Sequence, residues 1–459
     1  MQRLELKELE LKSPKIIVKP PGPKAREIIE RCNKSVSALA VGIGKILQIV
    51  FSDAKGALVK DVDGNIFIDF TSAVTTNNTG HCHPKVVEAI IRQAEKFIHA
   101  YEYPYELKAE VAELLCQITP GNFEKAVIFS NCGTESVENA LRIAEMYTKR
   151  REIISLWQSF HGKTRGSASI TTYGSKLRKG IKKLPEIHHI PYPDCNHCPL
   201  HETYPECGIK CLEFFDHIIN FETDGEIAAV IFEPILGGGC VVPPPEYWPA
   251  LAKKCREVGA LVIDDEVQAS FGRTGKMFAI QHYEGVEPDI ITCGKGLASG
   301  LPVGSTILRK DISDELAKDY GGLFTSTFGA NPVILAAAKA SIEVYLEEKL
   351  PEKAAKLGEH AIKRCKEMSE RHEIVGHIQG KGLLIGLELV KDKEKDIPAR
   401  DYALEVCKRA FENGLLIFNT GWQGNFVKIN PPLVITEEQL DSGLDILEKV
   451  ISEIERERK

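Results

Sequence analysis

The chain has 459 residues, 43% of them hydrophobic and 27% charged, enough to bury one large core and to carry a second, smaller domain. Its formal charge of −7, from 58 Lys and Arg against 65 Asp and Glu, argues against nucleic acid or an anionic membrane, whose phosphates reward concentrated cations. No apolar run approaches the roughly 20 residues of a membrane span, and the start, MQRLELKELELKSPK, alternates charge instead of following a basic start with an apolar stretch, so a cytoplasmic protein with small-molecule partners is expected.

A basic, Pro-rich lead, Lys19 to Lys24, comes first. The apolar runs 57–62 and 66–70 then flank Asp63-Gly64, a pair that predicts a β-hairpin. From about 85 to about 340, helical stretches alternate with short β-branched runs at Lys125–Phe129, Ile153–Leu156, Ala228–Phe232 and Ala260–Asp264. Such alternation predicts a mainly parallel sheet covered by helices on both faces. A long helical stretch begins near Asn331, and the remainder pairs a strand around 382–389 with another at 427–430 before an amphipathic helix from about Thr436. The expected organisation is an N-terminal segment, 1–75, contributing to a small domain, a large domain, 76–340, and a C-terminal small α+β domain, 341–459.

Thirteen cysteines are too dilute for a disulfide scaffold. Cys32, Cys116, Cys255, Cys365 and Cys407 sit singly in apolar or helical surroundings, as small buried hydrophobes do. Cys195-x-x-Cys198 and Cys207-x-x-x-Cys211 cluster in a segment rich in Pro, His and Asn. That spacing suits zinc, disulfides or free thiols alike, and no metal is assigned.

In an open parallel sheet, ligands gather just beyond the carboxyl ends of the strands. Here Val127-Ile-Phe leads into Ser130-Asn-Cys-Gly133-Thr134-Glu and a helix with Val137, Leu141 and Ala144 on one face. Gly-Thr at a helix start offers a phosphate unpaired N–H groups, a hydroxyl and the positive end of the helix dipole, although ordinary capped helices look the same. Ile153-Ile-Ser-Leu precedes Phe160-His161-Gly162-Lys163-Thr164, an aromatic ring that either lies against a planar ligand or simply packs. Ala228–Phe232 precedes Glu233-Pro234 and the glycines 237–239. Leu261-Val-Ile precedes Asp264-Asp265-Glu266-Val-Gln268, acids that are costly to bury unless something positive meets one of them. Asp289-Ile-Ile-Thr-Cys precedes Gly294-Lys295-Gly296, and a lysine so placed is either ion-paired or chemically employed. A dinucleotide site would need the Gly-x-Gly-x-x-Gly order, which Gly133-Thr134 lacks.

From Asp61 onward the chain resembles the class III aminotransferases, of fold type I among the pyridoxal 5′-phosphate enzymes. The resemblance rests on Asp63-Gly-Asn-Ile-Phe-Ile-Asp-Phe, Gly80-His-Cys-His-Pro, Asp265-Glu-Val-Gln, Phe271-Gly-Arg-Thr-Gly, Gly294-Lys295 and Thr327-Phe-Gly-Ala-Asn-Pro. It implies an α/β fold, with a seven-stranded, mainly parallel sheet between helices in the large domain. It also implies that Lys295 carries the cofactor as a Schiff base and then takes the substrate proton, that Asp265 holds the ring nitrogen, and that Phe160 stacks on the ring. Gln268 would contact the phenolic oxygen, Gly133 and Thr134 the phosphate, and Thr327 the phosphate of a neighbouring subunit, which requires a homodimer or larger homo-oligomer. The implied activity moves an amino group from an α- or ω-amine of an amino acid to a 2-oxo acid. The alternative is amino-acid racemisation or epimerisation, found in some members, in which the proton returns to the opposite face of the same carbon.

Several positions depart from the family pattern and bear on the substrate. Lys163 stands where many members have an arginine for a carboxylate, and Lys428, in Phe426-Val-Lys-Ile-Asn-Pro-Pro-Leu, stands where an arginine takes the α-carboxylate. A guanidinium grips a carboxylate in a two-pronged fork and an ammonium offers a point charge, so carboxylate recognition is expected either to be looser or to come from elsewhere. Glu233 would pair with Lys428 during one half-reaction, and Leu236 occupies a position where glutamine is common.

Overall fold

In the computed structural model, which describes residues 14–458, the β-branched runs pair into one seven-stranded sheet. Its strands are β1 (Lys125–Ser130), β2 (Glu152–Leu156), β3 (Ile187–Ile190), β4 (Ile227–Phe232), β5 (Leu261–Asp265), β6 (Ile290–Cys293) and β7 (Gly304–Arg309), in the spatial order β1-β7-β6-β5-β4-β2-β3. Pairings from β6 across to β3 are all parallel, while β7 runs antiparallel to both β1 and β6. Six strands therefore deliver their carboxyl ends to one edge, and β7 starts there, with Gly304 opposite Ser130.

Burial explains why these runs read as continuous apolar stretches. Every residue of β2, β4, β5 and β6 is buried, as strands covered on both faces must be. On one face the helix Gly133–Thr148 lays Val137, Ala140, Leu141 and Ala144 against Ile153, Ala229, Ile231, Ile263, Ile290 and Leu308. The helix Tyr247–Val258 buries Trp248, whose ring stacks on Phe232 at 4.1 Å and whose Nε1 donates to the Pro234 carbonyl. An indole so placed brings a large apolar surface and still satisfies its one donor.

The chain divides into two compact units. The larger comprises Pro84–Gly358 and Gln379–Leu384; the smaller comprises the described residues up to His83, Glu359–Ile378 and those from Ile385 onward. The first thirteen residues of the expected N-terminal segment lie outside the described residues. The expected joint at 340/341 falls inside the helix Pro332–Glu347, whose Leu335, Ala338, Ile342 and Tyr345 are fully buried and which belongs to the larger unit. Asn331 caps that helix, its Oδ1 accepting from the N–H of Val333 and Ile334.

In the smaller unit the Asp63-Gly64 hairpin forms as read, Leu58–Asp61 against Ile66–Asp69 in antiparallel register with Gly64 at φ +93°. Phe67 stacks on Phe411 at 5.2 Å within a cluster that includes Leu47, Val59 and Leu416. Leu384–Asp392 pairs antiparallel with Phe426–Ile429. Thr436 and Gln439 cap the terminal helix Glu437–Arg458 reciprocally, Thr436 Oγ1 accepting from Gln439 N and Gln439 Oε1 from Thr436 N.

Candidate active site

The shared strand edge of the larger unit collects the chemistry-bearing residues. Asp265 ends β5 with 3% of its surface exposed, and Thr292 lies beside it in register on β6. Donors meet both of its carboxylate oxygens. Oδ1 accepts from Thr292 Oγ1 and from the Val267 N–H, each at 3.1 Å, and Oδ2 accepts from His161 Nδ1 at 2.6 Å. His161 is itself buried, and its Nε2 has no hydrogen-bond partner among the described residues. Two residues beyond the end of β6, Lys295 opens a short 3-10 turn, Lys295–Ala298, at φ +40°. A lysine held in the left-handed region is strained, which costs about 1–3 kcal/mol and persists only where surrounding structure dictates it.

The first turn of the helix Gly133–Thr148 faces the same edge. Its N-cap Cys132 makes no side-chain cap, so the leading N–H groups of Gly133 and Thr134 have no capping side chain. A Cβ on Gly294 would come within 3.2 Å of the Gly133 nitrogen, so the approach to Lys295 and the helix start lie close together. Thr134 Oγ1 shares hydrogen bonds with Ser167 Oγ at 2.7 Å and Thr164 Oγ at 3.1 Å. Gly162 closes this cradle, because a Cβ there would stand 2.0 Å from Thr134 Oγ1.

Opposite, the carboxyl end of β4 supplies Glu233, buried, with Oε1 accepting from Phe160 N and Oε2 from Gly237 N, both at 2.9 Å. Burial raises the Glu233 carboxyl above its usual range, while His161 and the two backbone donors pull it down. Phe160 meets Tyr173 edge to face at 6.3 Å, and Gln268 Oε1 would be 2.1 Å from a Cβ on Gly237. The structure thus brings Gly133, Thr134, Phe160, Glu233, Asp265, Gln268 and Lys295 to one strand edge.

Of the remaining residues read from the sequence, Lys163 is exposed and lies between Gly162 and Thr164 of this cradle, Thr327 is exposed, and Lys428 is buried in the strand Phe426–Ile429 of the smaller unit. Leu236 is buried, its backbone paired with Val241 and Cys240. Reading the sequence passed over His161 as a partner for Asp265. The two are 104 positions apart, and only the strand-end position of Phe160-His161 hinted at it.

The three consecutive acids resolve differently from one another. Burial, then Glu266 and Asp265, hold the Asp264 carboxyl well above its usual range, and among the described residues neither of its oxygens has a hydrogen-bond partner. Burial pushes Glu266 up to about 8, although its Oε1 accepts from the Ile280 N–H at 2.8 Å. Asp265 alone has donors on both oxygens.

The class III aminotransferase family model matches residues 38–451. A leucine/methionine racemase of Thermococcus litoralis is 40% identical, covering 95% of this chain and 97% of that one. A probable 4-aminobutyrate aminotransferase of Bacillus subtilis is 38% identical over 86% of this chain and 91% of its own length. Among solved structures, the taurine:2-oxoglutarate aminotransferase of Bifidobacterium kashiwanohense, in complex with pyridoxal phosphate and glutamate, superposes with a TM-score of 0.87 at 28% identity, covering 94% of this chain and 98% of that one.

Between the ordinary glutamate value of 4.5 and the folded value of about 8, the unfolded chain releases the Glu266 proton while the folded chain keeps it. The stability contributed by neutral Glu266 is therefore full below pH 4.5 and is lost as pH rises to about 8. Glu266→Gln is expected to flatten the fall in thermal midpoint across that interval; a slope equal to wild type would contradict a proton held there.

Proposed function

The chain belongs to the class III aminotransferase family, whose members use pyridoxal 5′-phosphate, and from that premise we propose that it carries the amino group of an amino acid to a 2-oxo acid with Lys295 as its working base. The observation that carries this reading is the buried Asp265 carboxylate, held by His161, Thr292 and the Val267 N–H at the strand edge that also carries Lys295. The residues fit the cofactor group by group. Asp265 suits a ring nitrogen that carries a proton, the open first turn with Thr134 suits a phosphate, and Lys295 suits an aldehyde. When bound, the cofactor supplies a carbonyl for the incoming amine and a ring that accepts the electron pair left when the substrate carbon loses its proton.

The chain's own groups do the rest. The Lys295 Nζ would take the proton from the substrate carbon and, for transamination, pass it to the cofactor side instead of back to that carbon. Asp265 keeps a proton on the ring nitrogen, and His161 and Thr292 fix the orientation of that carboxylate. Phe160 covers one face of the ring and Gln268 meets its phenolic oxygen, with Lys428 as a cation for the substrate carboxylate. Lys163 is the further cation for a substrate carboxylate. A cytoplasmic setting belongs to the same proposal and agrees with thirteen cysteines all present as thiols; among the described residues no helix is long and apolar enough to cross a membrane.

A homodimer is supported by an apolar patch beside Thr327. Phe328 and Ile98 are each 62% exposed and Tyr103 is 74% exposed, with the Phe328 ring 5.5 Å from His99. Large exposed side chains of this kind suit an interaction surface, and exposed Thr327, next to Phe328 in the chain, is the residue proposed to reach a neighbour's phosphate there. Sedimentation equilibrium is expected to give a dimer or larger that Phe328→Glu dissociates; a wild-type monomer would contradict this.

A second reading, amino-acid racemisation, is favoured by the 40% identity to the Thermococcus litoralis racemase. Both readings use Lys295 and Asp265 up to the loss of the substrate proton and differ in where that proton returns. The deciding experiment supplies the holoenzyme with single L-amino acids and ω-amines, with and without 2-oxoglutarate or pyruvate, and follows keto acid and D-enantiomer by chiral chromatography. Transamination predicts keto acid only when the oxo acid is present, with a loss of about 100-fold or more in Lys295→Ala, the scale of a positioned base. Accumulation of D-enantiomer with no oxo acid would overturn transamination in favour of racemisation, and no product of either kind would remove both.

A further inference from the structure

Away from the strand edge, the four clustered cysteines converge on one small space. Between β3 and the helix Glu213–Phe221, Cys195, Cys198, Cys207 and Cys211 line a cavity of about 20 Å³, together with Asp194 and Tyr204. A space of that size holds a single water-sized particle. Each cysteine pair sits on a tight turn. Around Cys195–Cys198, the His197 N–H donates to Asp194 Oδ1 at 3.3 Å and the His201 N–H to the Cys198 carbonyl at 3.0 Å. In Cys207–Cys211, Lys210 N–H donates to the Cys207 carbonyl at 3.2 Å, with Gly208 and Ile209 both at positive φ. A β-branched residue resists that conformation.

We propose that Cys195, Cys198, Cys207 and Cys211 bind one zinc ion as a closed four-sulfur structural site. The donor set consists of soft thiolates in a C-x-x-C and C-x-x-x-C arrangement, the chemistry that selects zinc held tetrahedrally with no open position. Four thiolates facing one cavity repel unless a cation stands among them, so a bound ion is what lets all four face inward. Among the described residues no three of these sulfurs lie mutually within 4.8 Å. Zinc–sulfur bonds of about 2.3 Å place tetrahedral sulfurs about 3.8 Å apart, so the ion draws the two turns together.

The site would brace the catalytic edge from behind. Asn196 Nδ2, within the first cysteine pair, donates to Gln379 Oε1 at 2.9 Å, and Gln379 Nε2 donates to the Gly239 carbonyl at 2.7 Å. Just before the first pair, Tyr192 Oη donates to the Glu233 carbonyl at 2.9 Å. The knuckle thereby holds the glycine loop and the Glu233 strand end without touching either directly.

The test reads the metal and does not depend on turnover. Holoenzyme purified without a histidine tag from zinc-supplied cells is expected to hold about one zinc per chain by elemental mass spectrometry, as a closed four-thiolate site requires. Cys198→Ser and Cys207→Ser should lose that zinc, while Cys32→Ser, a substitution at an exposed cysteine in another segment, should keep it. Should the serine variants fold poorly, reduced wild type reloaded anaerobically with cobalt(II) should develop sulfur-to-cobalt charge-transfer and tetrahedral ligand-field bands. The proposal is overturned by zinc that persists in the Cys198 and Cys207 variants. It is equally overturned by peptide mapping that finds these four cysteines paired as disulfides, or by reduced wild type that takes up neither metal.

Discussion

A carboxylate is tolerated inside a protein only where donors meet its oxygens, and the strand-edge site is arranged around meeting that condition for Asp265. His161 arrives from the loop after β2, Thr292 from β6, and the Val267 N–H from the turn that Asp265 itself begins. Those contributions converge because parallel strands release their carboxyl ends on one side of the sheet. The adjacent acids show the alternative. Asp264 and Glu266 are buried without that set of donors, and burial drives their carboxyls upward. Of three consecutive acids, one has donors on both oxygens and two are pushed toward the neutral form. That division leaves Asp265 as the one of the three acids with donors on both carboxyl oxygens at the edge.

Much of this was legible in the sequence, for identifiable reasons. The buried strands had to be continuous β-branched runs, so Ala228–Phe232 and Ala260–Asp264 announced themselves, and the Asp63-Gly64 turn announced its hairpin. The strand-end residues followed from the parallel sheet. The direction of β7 was not legible, because a strand buried on both faces looks alike read either way. The smaller unit's return into the larger at Gln379–Leu384 was equally hidden. The His161–Asp265 bond joins residues far apart in the chain and leaves no periodic trace. The acidic run showed that one acid needed a partner, and which of the three had it depended on donors placed by tertiary structure.

The family assignment and the choice of reaction rest on different ground. Membership follows from a family match spanning residues 38–451 and from relatives that align over nearly the whole chain. Reaction type turns on whether the proton is delivered to a carbon of the cofactor, which releases a keto acid, or to the opposite face of the substrate carbon, which gives the enantiomer. Both aminotransferases and racemases stand among the relatives, so the comparisons leave the choice to experiment. If the lysines at 163 and 428 meet a substrate carboxylate as proposed, they offer it point charges in place of guanidinium forks on either reading. The cysteine knuckle stands outside this question and bears on how firmly the Glu233 and Gly239 side of the site is held.

The central claim is that Lys295, and no other of the chain's lysines, is the amine to which pyridoxal phosphate attaches. Borohydride reduction of the holoenzyme followed by peptide mass mapping tests it most directly. The account predicts the added phosphopyridoxyl mass on the peptide containing Gly294-Lys295, and no such mass on that peptide from protein reduced without cofactor. Label found on a different lysine, with the Lys295 peptide unmodified, would contradict the account.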